Sequence, residues 1–215
     1  EKMLKDNNVD IVHICTPHYL HSPMVLKSLE AGKHVLVEKP MAENLENAKK
    51  MIKASKKYEN LHLGVVFQNR YNNTSQKAKE LIDSGELGEI KGIKGIVTWH
   101  RDQAYYQQDP WRGKWNTEGG GVLINQSIHT LDLIQWLGGG VKAVKGSFDT
   151  RMLEDVIEVE DTAEATLYYK NGAVGLFYAT NCFTTNSPIE IEIHGEKGLL
   201  KITDNDLILK KKKQI

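Results

Sequence analysis

The chain has 215 residues, 40% of them hydrophobic, with 28 basic and 28 acidic side chains and a formal charge of zero. That length admits one large domain or two small ones, and balanced charge argues against a general nucleic-acid or anionic-membrane surface. No apolar run reaches a bilayer span, and two cysteines without metal-type spacing give neither a disulfide framework nor a metal site, which points to a reducing, cytoplasmic setting.

Residues 1–8 read as a helix tail ending in an Asn-Asn turn. Residues 9–15 are almost continuously apolar, as in a strand buried on both faces of a parallel sheet, with Cys15 packed inside it as a small hydrophobe. Ser22-Pro23 reads as an N-cap followed by proline at the first helical position. Met24, Val25 and Leu29 supply the helical period, and Gly32 ends it. Residues 34–37 predict the next strand. Leu45, Ala48, Met51 and Ile52 mark a second amphipathic helix, and residues 61–67 a third strand. This β-α-β-α-β order predicts a right-handed parallel sheet.

Beyond Arg70 the pattern changes. One amphipathic helix carries Ala78, Leu81 and Ile82 and is closed by Gly85. Residues 91–100, 163–169, 173–179 and 189–193 read as strands. Asn171-Gly172 is a strong hairpin signal between two of them. These strands predict an open, mostly antiparallel sheet. The helix predicted over 121–137 is apolar nearly all round and belongs between layers. Lys210, Lys211, Lys212 and Lys213 read as a solvated end.

Glu38-Lys39-Pro40 is the most informative tripeptide. It places an ammonium just beyond the carboxyl end of a parallel strand, where open α/β sheets bind ligands; the competing reading is a surface Lys-Pro turn. On the predicted buried helix, Asn125, His129 and Asp132 fall at i, i+4 and i+7, one stripe at 3.6 residues per turn. Either Asp132 accepts from the His129 ring in a core network, or an oriented imidazole faces a substrate hydroxyl. Thr16-Pro17-His18, with His21 beyond, follows the first strand and could touch a cofactor or form an ordinary turn. Gln68 and Arg70 end the third strand. Trp111 and Arg112 mix an indole with a cation, suited to a sugar or to anchoring a loop.

These residues resemble one family. Glu38-Lys39-Pro40, the Gly119-Gly120-Gly121 helix start with His129 and Asp132 behind it, and Glu160-Asp161-Thr162-Ala163 opening a strand are similar to the glucose–fructose oxidoreductase, inositol dehydrogenase and rhizopine-catabolism (Gfo/Idh/MocA) family. The resemblance implies an α/β fold. A partial Rossmann parallel sheet over residues 1–68 would be followed by an α+β substrate and oligomerisation domain over 69–215. It implies oxidation or reduction of a secondary alcohol on a sugar, cyclitol or nucleotide-sugar with NAD or NADP. By resemblance Lys39 and His129 are catalytic, with either as the base. Asn125, in a place often filled by aspartate, would bind substrate with Arg112, Trp111, Arg70 and Asp132. Thr16, Pro17, His18, His21, Glu38, Lys39 and Gln68 would line the cofactor. A homo-oligomer through the open sheet is expected, with Tyr168 or Phe177 on the contact face. An NAD-dependent glycoside hydrolase and a non-catalytic sugar-binding module are the alternatives.

The chain has no Gly-x-Gly-x-x-Gly and no first strand-helix-strand with a ribose-binding acid. The expectation is an internal piece of a longer enzyme, inactive and weak for NAD by itself. Its strands at 9–15 and 61–67 would be poorly ordered, paired with another chain, or covered by other segments.

Overall fold

The computed structural model describes residues 2–203 and 205–212. It contains two sheets. The first has three parallel strands, β1 (Ile11–Ile14), β2 (His34–Val37) and β3 (Leu63–Val65), in that order. Two helices make the crossovers, α1 (His21–Glu30) and α2 (Leu45–Lys57). Successive right-handed crossovers in one direction put both helices on the same face. They touch each other and cover a core of Val12, Ile14, Val25, Leu29, Val35, Val37 and Met51. Each fully buried side chain of this size contributes roughly 1.5–3 kcal/mol.

The strands are therefore buried on one face, not two. Ile11 and Leu36, on the opposite face, are exposed. Cys15 lies past the end of β1 and is an exposed free thiol, not a core residue. Helix α1 begins at His21, one residue before the predicted cap. A 3-10 turn, His18–Leu20, runs directly into it, so Ser22 and Pro23 sit inside its first turn. At the N-terminus only a 3-10 turn, Met3–Lys5, is helical; Glu1 and Lys213 lie outside the described residues.

The second sheet has seven strands: β4 (Ile90–Thr98), β5 (Val141–Asp149), β6 (Thr162–Tyr169), β7 (Val174–Thr180), β8 (Glu190–Gly195), β9 (Gly198–Ile202) and β10 (Leu207–Lys211). Their order is β10-β9-β8-β4-β7-β6-β5, antiparallel except for β4 beside β7. The Asn171-Gly172 turn joins β6 to β7, with Gly172 at φ 88°. Strands β5, β9 and β10 had no clear sequence signal. β5 is exposed along nearly its whole length and so carries no alternation to read. Lys210 and Lys211 belong to edge strand β10, and Lys211 pairs with Glu86.

Helices α3 (Asn73–Asp83), the short α4 (Gln103–Gln107) and α5 (Ile128–Leu137) complete the chain. Leu133, Ile134 and Leu137 of α5 pack on Ile93, Val97, Phe177 and Ile191 of the sheet. The helix predicted over 121–137 is in fact two pieces. A π-helical turn, Val122–Gln126, precedes α5 and is separated from it at Ser127. The buried Ser127 hydroxyl donates to the Val122 carbonyl at 2.7 Å, alongside its own backbone N–H at 2.8 Å. Phe177 points into the core at 3% exposure. The exposed large apolar side chains on this hairpin are Tyr168, Val174 and Leu176.

Candidate active site

Three loops at the carboxyl edge of the small sheet meet the start of α5. The loop after β1 holds Thr16, Pro17 and His18; the loop after β2 holds Glu38, Lys39 and Pro40. The 3-10 turn Gln68–Tyr71 follows β3.

Lys39 is half-buried, and the Lys39–Pro40 peptide is cis. Its ammonium donates to the backbone carbonyl and the side-chain Oδ1 of Asn125, both at 2.9 Å. Burial lowers its pKa from the ordinary lysine value. Glu38 and Glu118 oppose that shift, and Arg112 adds to it.

His129 stands on the same side of α5 and feels the Lys39 charge. Burial lowers its pKa, Lys39 lowers it further, and Asp132 and Glu38 oppose. Its Nε2 lies 3.5 Å from the Gln68 amide nitrogen. Its Nδ1 is buried with no protein partner among the described residues. The oriented-imidazole reading needed Asp132 on this ring. Asp132 is instead held by Arg70, through Nε at 2.7 Å and Nη2 at 2.5 Å. The break in the helix at Ser127 removes the uniform 3.6-residue stripe on which that reading rested. Arg70 also lies over Trp136 and Phe67. Arg70 and Asp132 thus tie the β3 turn to α5, and their charges are directed at each other.

The two other predicted histidines are core residues. His21 is fully buried, with Nδ1 2.7 Å from the Pro40 carbonyl and Nε2 2.8 Å from the Thr16 carbonyl. A neutral ring donates to one of these carbonyls, with the other at contact distance, so the buried ring is packed between the two loops. His18 is 4% exposed, donates from Nδ1 to the Glu118 carbonyl at 2.8 Å, and packs on Trp111. Burial pushes its pKa down to about 4. Arg112 lies over the Trp111 and Tyr105 rings and bonds Asp109 and the Tyr105 hydroxyl. Thr16, Pro17 and Glu38 are partly exposed and Gln68 is exposed at the same edge.

Two residues were given no site role by the sequence reading, Glu118 altogether and Glu160 beyond its place in the Glu160-Asp161-Thr162-Ala163 motif. Glu118 is fully buried; its carboxylate accepts from the Gly113 N–H at 2.5 Å and from Asn125 Nδ2 at 2.6 Å. Glu160 accepts from the N–H groups of Gly121 and Leu123, each at 2.9 Å, at the positive end of the π-turn. The glycines before that turn are a packing requirement. A Cβ on Gly119 would lie 1.9 Å from the Glu43 carbonyl oxygen, and one on Gly121 1.8 Å from that of Glu160. An acid directly in front of three glycines and a buried helix was the available signal for Glu118.

The arrangement can hold a polarised ammonium and a neutral imidazole side by side in front of a strand edge, which suits moving a proton to or from a hydroxyl. The unpartnered buried Nδ1 of His129 and the partly exposed Thr16, Pro17 and Glu38 fit the nicotinamide end of a dinucleotide. The glycine-rich turn that binds pyrophosphate is not in this sequence.

Known proteins give the same frame. Residues 1–67 match the oxidoreductase family, NAD-binding Rossmann fold, and residues 75–201 match the GFO/IDH/MocA C-terminal domain. Levoglucosan dehydrogenase of Pseudarthrobacter phenanthrenivorans is 30% identical over 91% of the chain and 56% of its own length. Myo-inositol 2-dehydrogenase of Thermotoga maritima is 29% identical over 92% of the chain and 57% of its own length. The WlbA dehydrogenase of Bordetella pertussis, solved with NADH and UDP-GlcNAcA, superposes with a TM-score of 0.92 at 36% identity, over all of this chain and 62% of that one. The chain thus spans a little over half the length of the curated relatives it matches. With both halves matched in order, and Lys39 meeting Asn125 where the two join, the chain belongs to the Gfo/Idh/MocA oxidoreductase family.

Proposed function

We propose that the whole protein is an NAD(P)-dependent oxidoreductase acting on a secondary alcohol of a sugar, cyclitol or nucleotide-sugar. The observation that carries this is the Lys39 ammonium, lowered in pKa by burial and held by Asn125 beside His129. When bound, the nicotinamide accepts or delivers the hydride. Lys39 as the neutral amine takes the hydroxyl proton in oxidation, and as the ammonium returns it in reduction. His129, kept neutral by burial and by Lys39, accepts or relays that proton. Asn125 keeps the ammonium aimed at the substrate oxygen. Thr16, Pro17, Glu38 and Gln68 line the cofactor side, and Trp111 with Arg112 the sugar side.

Two relatives solved with NADH hold UDP-GlcNAcA and levoglucosan respectively, so these are the first substrates to test. NADH formation at 340 nm is expected with one sugar of this class and whole protein. No absorbance change with the panel, under conditions where NADH binds, would reject the dehydrogenase reading and favour a binding module.

The protein also assembles through the seven-stranded sheet in this reading. Tyr168, Val174 and Leu176 are 42%, 45% and 62% exposed on one face, and apolar patches of this kind are partner surfaces. A symmetric pair would place the same patch on itself. Leu176→Lys is expected to convert the oligomer to monomer in light scattering. A monomeric parent at micromolar concentration would refute the assembly.

A further inference from the structure

We infer that Glu118 is the positioning residue of the site: it fixes which way the Asn125 amide points, and through that amide sets the orientation and basicity of Lys39. The inference rests on the reading of Lys39 as the acid/base.

The argument is one of donors and acceptors. An ionised carboxylate only accepts. Glu118 Oε2 is taken by the Gly113 N–H, so Oε1 requires a donor, and the group facing it at 2.6 Å is the Asn125 amide nitrogen. With Nδ2 committed there, Oδ1 faces the other way. It meets the Lys39 ammonium at 2.9 Å, next to the Asn125 backbone carbonyl at 2.9 Å. Two of the three ammonium protons are thereby assigned, and the third is left for a substrate oxygen. Without the carboxylate only the ammonium holds the amide in this orientation, and nothing accepts from Nδ2 on the far side. Turned over, it would set its own N–H groups against the ammonium.

Glu118 is fully buried, and a buried acid without purpose is costly. Its carboxyl is held above the usual range by burial and by Glu160, while the Gly113 N–H, Asn125 and Arg112 pull the other way. Around Lys39 the facing charges are Glu38, Glu118 and Arg112, with the His129 and His18 rings close enough to sense the ammonium. Glu118 and Glu38 are the two that favour the charged lysine.

The test uses Glu118→Gln. Its amide cannot accept from both Gly113 and Asn125 through a carboxylate pair. One oxygen serves the Gly113 N–H, and the new NH2 faces Asn125, whose amide turns over. Charge loss and the turned amide both disfavour the ammonium. The pH at which Lys39 becomes half-reactive should therefore fall, by about one unit. Pulsed acetylation across pH, read by mass spectrometry on the ligand-free whole protein, measures this directly, because neutral amines react. Lys39 labelling near neutrality should rise roughly tenfold, with exposed Lys53 as the internal reference.

Asn125→Leu should shift Lys39 in the same direction. The double variant should shift Lys39 by less than the sum of the two single shifts, since the part carried by the amide is shared while the direct charge of Glu118 is lost only with Glu118→Gln. An unchanged Lys39 profile in folded Glu118→Gln, or fully additive shifts, would overturn the proposal. Should Glu118→Gln fail to fold, an unshifted Lys39 in Asn125→Leu would overturn it as well. Turnover reports separately: the rising limb of the oxidative pH–rate profile should move down in pH with Lys39. A labelling shift without turnover on any sugar leaves Glu118 in this role and rejects the dehydrogenase.

Discussion

Lys39→Met, made in the whole protein, should lower turnover by ~10²–10⁴, the usual size for general acid–base catalysis, while NADH affinity stays within a few fold. Methionine matches the lysine stem up to Cε and removes the ammonium, so packing of the stem is largely retained. Burial lowers the lysine pKa, so the neutral amine that serves as base appears at lower pH than for an exposed lysine. In the parent the oxidative rate should therefore rise with pH through that lowered value, and this limb should vanish in the variant. Near-normal turnover of Lys39→Met across pH would reject the assignment. A modest loss there beside a large one in His129→Asn would give the base role to His129 instead.

Gly121→Ala is expected to be strongly destabilising. The added Cβ would sit 1.8 Å from the Glu160 carbonyl oxygen and 3.0 Å from Val159 Cγ2. That neighbour is backbone and cannot swing away. Separation breaks the hydrogen bonds that Gly121, Val122 and Leu123 donate to Glu160. Overpacking costs ~1–3 kcal/mol and occasionally more, and each lost buried hydrogen bond ~1 kcal/mol. The expected loss is at least ~3 kcal/mol, read as a lower urea midpoint at unchanged slope. A loss below ~1 kcal/mol would show that the π-turn and the Glu160 loop separate freely.

Much of this frame was legible in the sequence because local chemistry and tertiary context agree there. Strand β2 is apolar and bounded by Gly32 and Glu38-Lys39-Pro40, and it forms as read. The Asn171-Gly172 turn needs a positive φ and receives it. β8 alternates, with Ile191 and Ile193 buried while Glu190 and Glu192 meet Lys94 and Lys201 outside. What failed depended on contacts distant in sequence. Asp132 is one turn from His129, yet Arg70, 62 residues away, holds it. His21 resembles a ligand in a strand-end loop until two backbone carbonyls are placed beside it. The π-turn is invisible to a 3.6-residue period because it closes from the Ser127 N–H to the Val122 carbonyl five residues back, and its free N–H groups are taken by Glu160, 39 residues on from Gly121. Glu118 sits in an aperiodic loop, where pattern says nothing about burial.

The His21 ring has a consequence for timing. It is buried between carbonyls at Thr16 and Pro40, one from each of two strand ends that flank the same edge, and donates to one of them. Loops bridged in this way cannot wander independently, so their disorder is given up once, when the chain folds. A ligand arriving at that edge meets a surface already set, and its association is spared the ordering of those segments. Recognition there should thus show little of the slow, multiphasic approach to equilibrium that loop closure imposes.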